Sequence, residues 1–146
     1  MMLNTEKGAS LVEFTLILPL LLLLVFGIIE FGLLMYNKAM LTNASREGAR
    51  AGIVFHTDPV TSALDRLSQA EITQIVNDYC QNYLVTFGST PNLTVATDPT
   101  ASETVPSGNY LTVDVTYQYE FLLVPAFVSG LGGGLNLLAS TTMRAE

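Results

Sequence analysis

Tryptophan is missing from this chain, cysteine and histidine occur once each, and only six lysines and arginines are spread over 146 residues. A single cysteine, Cys80, excludes an internal disulfide framework. A single histidine, His56, leaves too few soft ligands for zinc, which takes three or four converging protein groups. Cations are scarcest where a binding domain would need them. Residues 55–146 hold nine acids against Arg66 and Arg144, whereas residues 1–54 hold four charges of each sign, so the whole net charge of −7 belongs to the C-terminal part. Nucleic acid is therefore not an expected partner, because binding it requires several cations to displace phosphate counterions. Charged residues make up 13% of the chain against 49% apolar, and the mean hydropathy is +0.42. That balance excludes a disordered acidic protein, and the length allows one folded domain.

What the chain has in abundance is leucine in one place. Residues 14–29 read FTLILPLLLLLVFGII, thirteen of sixteen strongly apolar and none charged. The apolar pattern resumes after Glu30, so Leu11 to Tyr36 gives 26 residues, about 39 Å of helix and enough to cross a hydrocarbon core of roughly 30 Å with some tilt. Glu13 and Glu30 lie 17 residues apart, about 25 Å along such a helix, which places them near opposite faces of the membrane. Pro19 interrupts the run; spanning helices tolerate it with a local bend. A cleaved secretory signal fits poorly, since Lys7 is offset by Glu6, Glu13 interrupts the approach, and Thr42-Asn43-Ala44 is a weak and late imitation of a cleavage site. Lys38, Arg46 and Arg50 on the C-terminal side favour a cytoplasmic C-terminus by the positive-inside rule, a rule that weakens when a long domain follows the helix.

Directly before the apolar run stands Gly8-Ala9-Ser10-Leu11-Val12-Glu13-Phe14, a G-x-x-x-x-E-F pattern. Glycine suits a scissile bond because a protease can approach its backbone closely. Cut there, the chain would begin at Ala9 and carry Glu13 as its fifth residue. A carboxylate at the edge of a bilayer is costly without a partner, and the new amino terminus of a neighbouring copy supplies one. The pattern resembles the prepilin signal of type IV pilins in its Flp-type form. More widely, residues 8–54 resemble the TadE-like family of tight-adherence pilus assembly proteins. The resemblance rests on G-A-x-x-V-E-F, the proline within the leucine run, E-F-G at 30–32, and N-A-S-R-E-G-A-R at 43–50.

That resemblance implies a minor pilin or pseudopilin, a structural subunit of a Tad/Flp pilus assembly system supporting adhesion and biofilm formation, and not an enzyme. Gly8 would precede the cut, Ala9 would become the mature N-terminus, and Glu13 with Phe14 would serve recognition and assembly. The implied partners are other pilins or pseudopilins, a prepilin peptidase, the inner-membrane assembly platform and the lipid bilayer. The expected organisation is a leader over 1–8, a transmembrane segment over 9–36, an extramembrane continuation of the helix over 37–54, and an acidic extracytoplasmic α+β domain over 55–146. The protein would sit once through the bacterial inner membrane with its N-terminus cytoplasmic.

Beyond the span, the first helix is expected to run to about Val54. Ala44, Gly48 and Gly52 recur every four residues on one face of it, either as a docking face for a partner pilin or as packing against the chain's own domain. Arg46 and Arg50 form a neighbouring stripe, open to a partner or simply solvated. His56-Thr57-Asp58-Pro59 breaks the helix. Ser68-Gln69-Ala70-Glu71 is a capping box that starts a second helix, and Ile72, Ile75, Val76, Tyr79, Cys80, Tyr83, Leu84 and Phe87 follow at helical spacing to a stop at Gly88. Asn92–Thr97 reads as a short strand and Asp98–Asn109 as a loop. Tyr110–Leu123 alternates, with Leu111, Val113, Val115, Tyr117, Tyr119 and Phe121 on one side, as for a sheet with one packed face. Leu135–Ala145 can return as another strand. The expected fold is α+β: a long N-terminal helix continuing into a small domain, with the second helix packed on a roughly three-stranded antiparallel sheet.

Sites for chemistry are hard to find. Gly130–Gly134 lacks the spacing of a phosphate loop and precedes a strand. His56 beside Asp58 has no supporting motif, and Cys80 sits inside an apolar stripe. Asn43-Ala44-Ser45 and Asn92-Leu93-Thr94 are formal glycosylation sequons of a kind that recurs by chance. No catalytic residue, cofactor or metal site is expected. The rivals to a pilin-type subunit are an uncleaved membrane-anchored scaffold of a secretion or pilus complex, and an anchored ligand-binding or catalytic domain.

Overall fold

A computed structural model describes residues 5–57, 64–86, 88, 90–99, 105–121 and 134–145, with residues 5–7 by backbone alone. The chain divides into two compact units, residues 1–33 with 121–133, and residues 34–120 with 134–146. One helix, α1 (Thr5–Ile53), contributes to both. The other elements are β1 (Phe55–Thr57), β2 (Leu64–Arg66), α2 (Gln69–Tyr83), β3 (Leu93–Asp98), β4 (Tyr110–Tyr119) and β5 (Leu135–Arg144). The α+β architecture, with a long apolar helix, a second helix and a three-stranded antiparallel sheet, agrees with the sequence pattern.

In the first unit α1 is apolar on every side. Leu11, Phe14, Leu16, Ile17, Leu20 to Leu24, Ile28 and Phe31 are all exposed. A helix hydrophobic all round belongs inside a large core or in lipid, and here these large side chains stand open. It is long and apolar enough to cross a membrane. The helix is unbroken through Pro19, whose missing N–H removes one i→i−4 hydrogen bond. Thr15 donates its hydroxyl to the Leu11 carbonyl at 2.8 Å, a common way for a hydroxyl to be satisfied inside an apolar helix.

In the second unit the character of α1 changes. Asn37, Leu41, Ala44, Ser45, Gly48, Ala49 and Gly52 are buried while Arg46 and Arg50 between them are exposed, which is the one-sided stripe of a helix packed on a core. The core it meets is the inner face of the sheet, ordered β3-β4-β5 and antiparallel throughout. Leu111, Val113, Val115, Tyr117 and Tyr119 of β4 are buried, and the register pairs them with Leu93, Val95 and Thr97 on one side and Leu135, Leu137, Ala139, Thr141 and Met143 on the other. Ile72, Val76 and Cys80 of α2 complete the core. The Ser45 hydroxyl donates to the Val113 carbonyl at 3.0 Å, fixing α1 to the central strand.

Both arms of the capping box form: the Glu71 N–H donates to Ser68 Oγ at 3.4 Å and the Ser68 N–H donates to Glu71 Oε2 at 2.8 Å. The helix then stops at Tyr83, a turn before the expected Phe87, which lies outside the described residues. The cause is distant in sequence. Leu84 turns extended, and Val85 finds its partners in the fully buried Asn37 side chain, donating its N–H to Oδ1 at 3.0 Å and accepting from Nδ2 at 3.1 Å. Gly88 adopts a positive φ of 94°, within the chain that leads towards β3. β4 ends at Tyr119, short of the expected Leu123, and Phe121 is exposed beyond it. The β1–β2 hairpin, pairing Phe55 with Arg66 and Thr57 with Leu64, was not foreseen. It is pinned by the Arg66 guanidinium, 4.4 Å from the Phe55 ring centroid and 3.3 Å from Ser107 Oγ.

Two substitutions test this packing by thermal unfolding of the full chain in detergent. Asn37→Ala strands the Val85 amide and carbonyl and is expected to destabilise by about 2 kcal/mol. Thr97 is buried on the inner face with no hydrogen-bond partner for its hydroxyl among the described residues; Thr97→Val keeps the shape, removes the buried hydroxyl, and is expected to raise the melting temperature.

Candidate functional site

Gly8, Ala9, Glu13 and Phe14 all lie in the first turns of α1, exposed. Ala9 and Glu13 are four residues apart and so share one face of the helix. No atom lies within 4 Å of where a Cβ on Gly8 would stand. The bond between Gly8 and Ala9 is helical rather than extended, so a protease needs the first turn to unwind. Terminal turns do so at small cost, since their leading N–H groups have no helical acceptor.

Glu30 behaves differently from Glu13. It is 3% exposed, the buried residue among the otherwise open positions 8–33. Sequence reasoning placed it at a membrane edge and missed its burial.

The small residues of α1 are filled by the chain's own domain. A Cβ on Gly48 would stand 2.6 Å from Val76 Cγ2, and one on Gly52 would stand 2.5 Å from Leu111 Cδ2 and 2.7 Å from Ile72 Cδ1. Ala44 is fully buried as well. Of the two arginines, Arg50 is engaged with Glu47, at 2.9 Å from Nη2 to Oε1 and 3.3 Å from Nε to Oε2. That hydrogen bond holds the Glu47 carboxyl below the usual range and raises Arg50. Arg46 is exposed and makes no hydrogen bond or ion pair among the described residues. Lys38, counted above as a flanking charge, donates its ammonium to the Leu138 carbonyl of β5. Asn37 is the residue the sequence reading overlooked; an asparagine directly after an apolar span, in a helix it does not favour, was the available signal.

None of the polar groups converges on a reaction centre. His56 is exposed, with Nε2 3.2 Å from the Ala51 carbonyl; Asp58 and residues 130–133 of the glycine cluster lie outside the described residues. Among those described, no three His, Cys, Asp or Glu side chains gather to hold a metal. An open groove of about 400 Å³ is lined by Ile53, Val54, Phe55 and Arg144 and holds no acid–base pair. Gly134, the first described residue of the returning chain, lets the backbone close on the Tyr119 carbonyl, which a Cβ would strike.

The described residues thus combine a helix long and apolar enough to cross a membrane with a small α+β domain. Residues 8–50 match the model of the TadE-like protein family. No curated protein and no solved structure matches the chain. The matched stretch, under half of the chain, contains Gly8, Glu13, Glu30 and both arginines, and it covers most of the helix that is long and apolar enough to cross a membrane.

Cys80 provides a test of the core beneath this helix. Burial pushes its thiol up to about 11. The sign follows from proton binding: below pH ~8.5 both folded and unfolded thiols are protonated, and above it the unfolded chain loses its proton first, so this contribution to stability falls as the pH rises towards 11. Maleimide labelling at neutral pH is expected to be slow in the native chain and rapid in denaturant; rapid native labelling would show the α2–sheet core to be open.

Proposed function

We propose that this protein is a minor pilin or pseudopilin, a structural subunit of a tight-adherence pilus assembly system, released from its leader by cleavage after Gly8. The observation that carries the reading is the joining of two features in one helix: the G-x-x-x-x-E-F motif and, directly after it, a stretch whose large apolar side chains stand exposed. Such a surface is stable in lipid, and helices of neighbouring subunits can replace the lipid without exposing it to water.

In this account the bilayer stores the subunit with its N-terminus cytoplasmic and residues 55–146 outside. Peptidase action frees the Ala9 amine, a cation made at the membrane edge. Glu13 of an adjacent subunit meets that cation, and the pair costs less in an apolar surrounding than either charge alone. The assembly platform then draws subunits out of the membrane one at a time, and the filament serves adhesion and biofilm formation. The rest of the domain presents a polar outer sheet face, including Thr112, Asp114, Thr116 and Gln118. The TadE-like family is a structural component of pilus assembly rather than a catalyst, and the domain's chemistry supports the same role here.

A second reading has one specific observation in its favour. Gly8 is helical, as an uncleaved anchor of a pilus or secretion complex would have it.

The two readings part under substitution in the native host. Gly8→Ala is expected to block processing, leaving the full-length chain in the membrane. Glu13→Ala is expected to be retained in the membrane and lost from the sheared filament fraction. Glu13→Ala recovered there at wild-type level would remove the charge pair from the account.

A further inference from the structure

We propose that the end of the second unit at which α1 comes in is a lipid-contacting surface, with Tyr36, Tyr83, Leu135 and Leu138 resting in the interfacial layer of the bilayer. The proposal deepens the membrane-anchor reading and rests on it. Three contacts bring these residues to one end. Asn37 holds Val85 through two hydrogen bonds, which places the last turn of α2, and with it Tyr83, beside the start of this part of α1. Lys38 donates to the Leu138 carbonyl, placing the first half of β5 there. The register sets Leu135 opposite Tyr119, so the β4–β5 connection leaves from the same end. The opposite end is marked by Gly52 against Leu111 and by Tyr110 paired with Arg144.

All four side chains are between 42% and 54% exposed, although each is large and apolar in body. Tyrosine combines an apolar ring with a polar tip and is enriched where membrane meets water. The occupant is lipid because Tyr36, itself one of the four, is the residue at which the apolar run of the sequence that began at Leu11 closes. Lys38 and Glu120 flank the rim with opposite signs, so contact with the membrane is apolar and does not depend on anionic lipid.

The absence of tryptophan makes the test clean. Single-tryptophan variants of the full chain, Tyr83→Trp and Leu138→Trp at the rim, Tyr110→Trp at the far end and Leu22→Trp in the span, are reconstituted into phosphatidylcholine vesicles. Each is compared with and without bromine on the acyl chains, placed near the headgroup for the rim and far-end variants and near the chain ends for Leu22→Trp. Tyr83→Trp and Leu138→Trp are expected to lose emission as Leu22→Trp does, and Tyr110→Trp to keep it; Leu135→Trp substitutes for a rim variant that fails to unfold like wild type. Rim variants that keep their emission while Leu22→Trp is quenched overturn the rim and leave the anchor standing. Equal quenching of Tyr110→Trp overturns a directed contact, and an unquenched Leu22→Trp overturns anchor and rim together.

Discussion

One helix has to be stable in two solvents, and the organisation of the chain follows from that demand. Over residues 8–33 α1 presents large apolar side chains in every direction. From Asn37 onwards its buried positions, 37, 41, 44, 45, 48, 49 and 52, keep to one side. An all-round apolar surface suits lipid, and a single stripe suits a protein core. The change is made within one continuous element, by replacing leucines with small and polar residues on the face that meets the sheet.

Small residues in the second half of α1 allow close approach. Gly48 and Gly52 bring the helix backbone against Val76, Ile72 and Leu111, and Ser45 anchors it to Val113. Because protein interiors are packed as densely as crystals, side chains at those glycines would force the neighbours aside. Asn37 does a second job at the start of this region. Its amide takes the place of a strand neighbour for Val85, ending α2 and turning the chain towards β3. The helix that is long and apolar enough to cross a membrane thereby also sets the length of α2.

Much of this was legible because it is local. The leucine run, the capping box at Ser68 and Glu71, and the alternation that begins at Leu111 are written at periods of 3.6 and 2; each forms the expected element, although β4 ends at Tyr119 rather than Leu123. What escaped is what depends on partners far along the chain. The end of α2 at Tyr83 needs Asn37, 46 residues earlier. The β1–β2 hairpin has three residues per strand, too few to show a period, and depends on Arg66 lying over Phe55. The burial of Glu30 is likewise not visible in its spacing from Glu13. At the candidate site the residues of the G-x-x-x-x-E-F motif were legible by type and spacing alone, whereas the fate of Ala44, Gly48 and Gly52 was not, since one stripe of small residues serves an outside partner or the chain's own core equally well.

The proposed function requires a chain start that a protease would have to create. Uncut, Glu13 is an acid in the first turns of an apolar helix; after a cut at Gly8, a neighbour's amine would neutralise it and the helices would pack. The most direct measurement is the intact mass of the protein isolated from the membranes of its native host. A mature chain that begins at Ala9, lacking residues 1–8, is the predicted result. A chain that still carries Met1 through Gly8 in assembled material would contradict it.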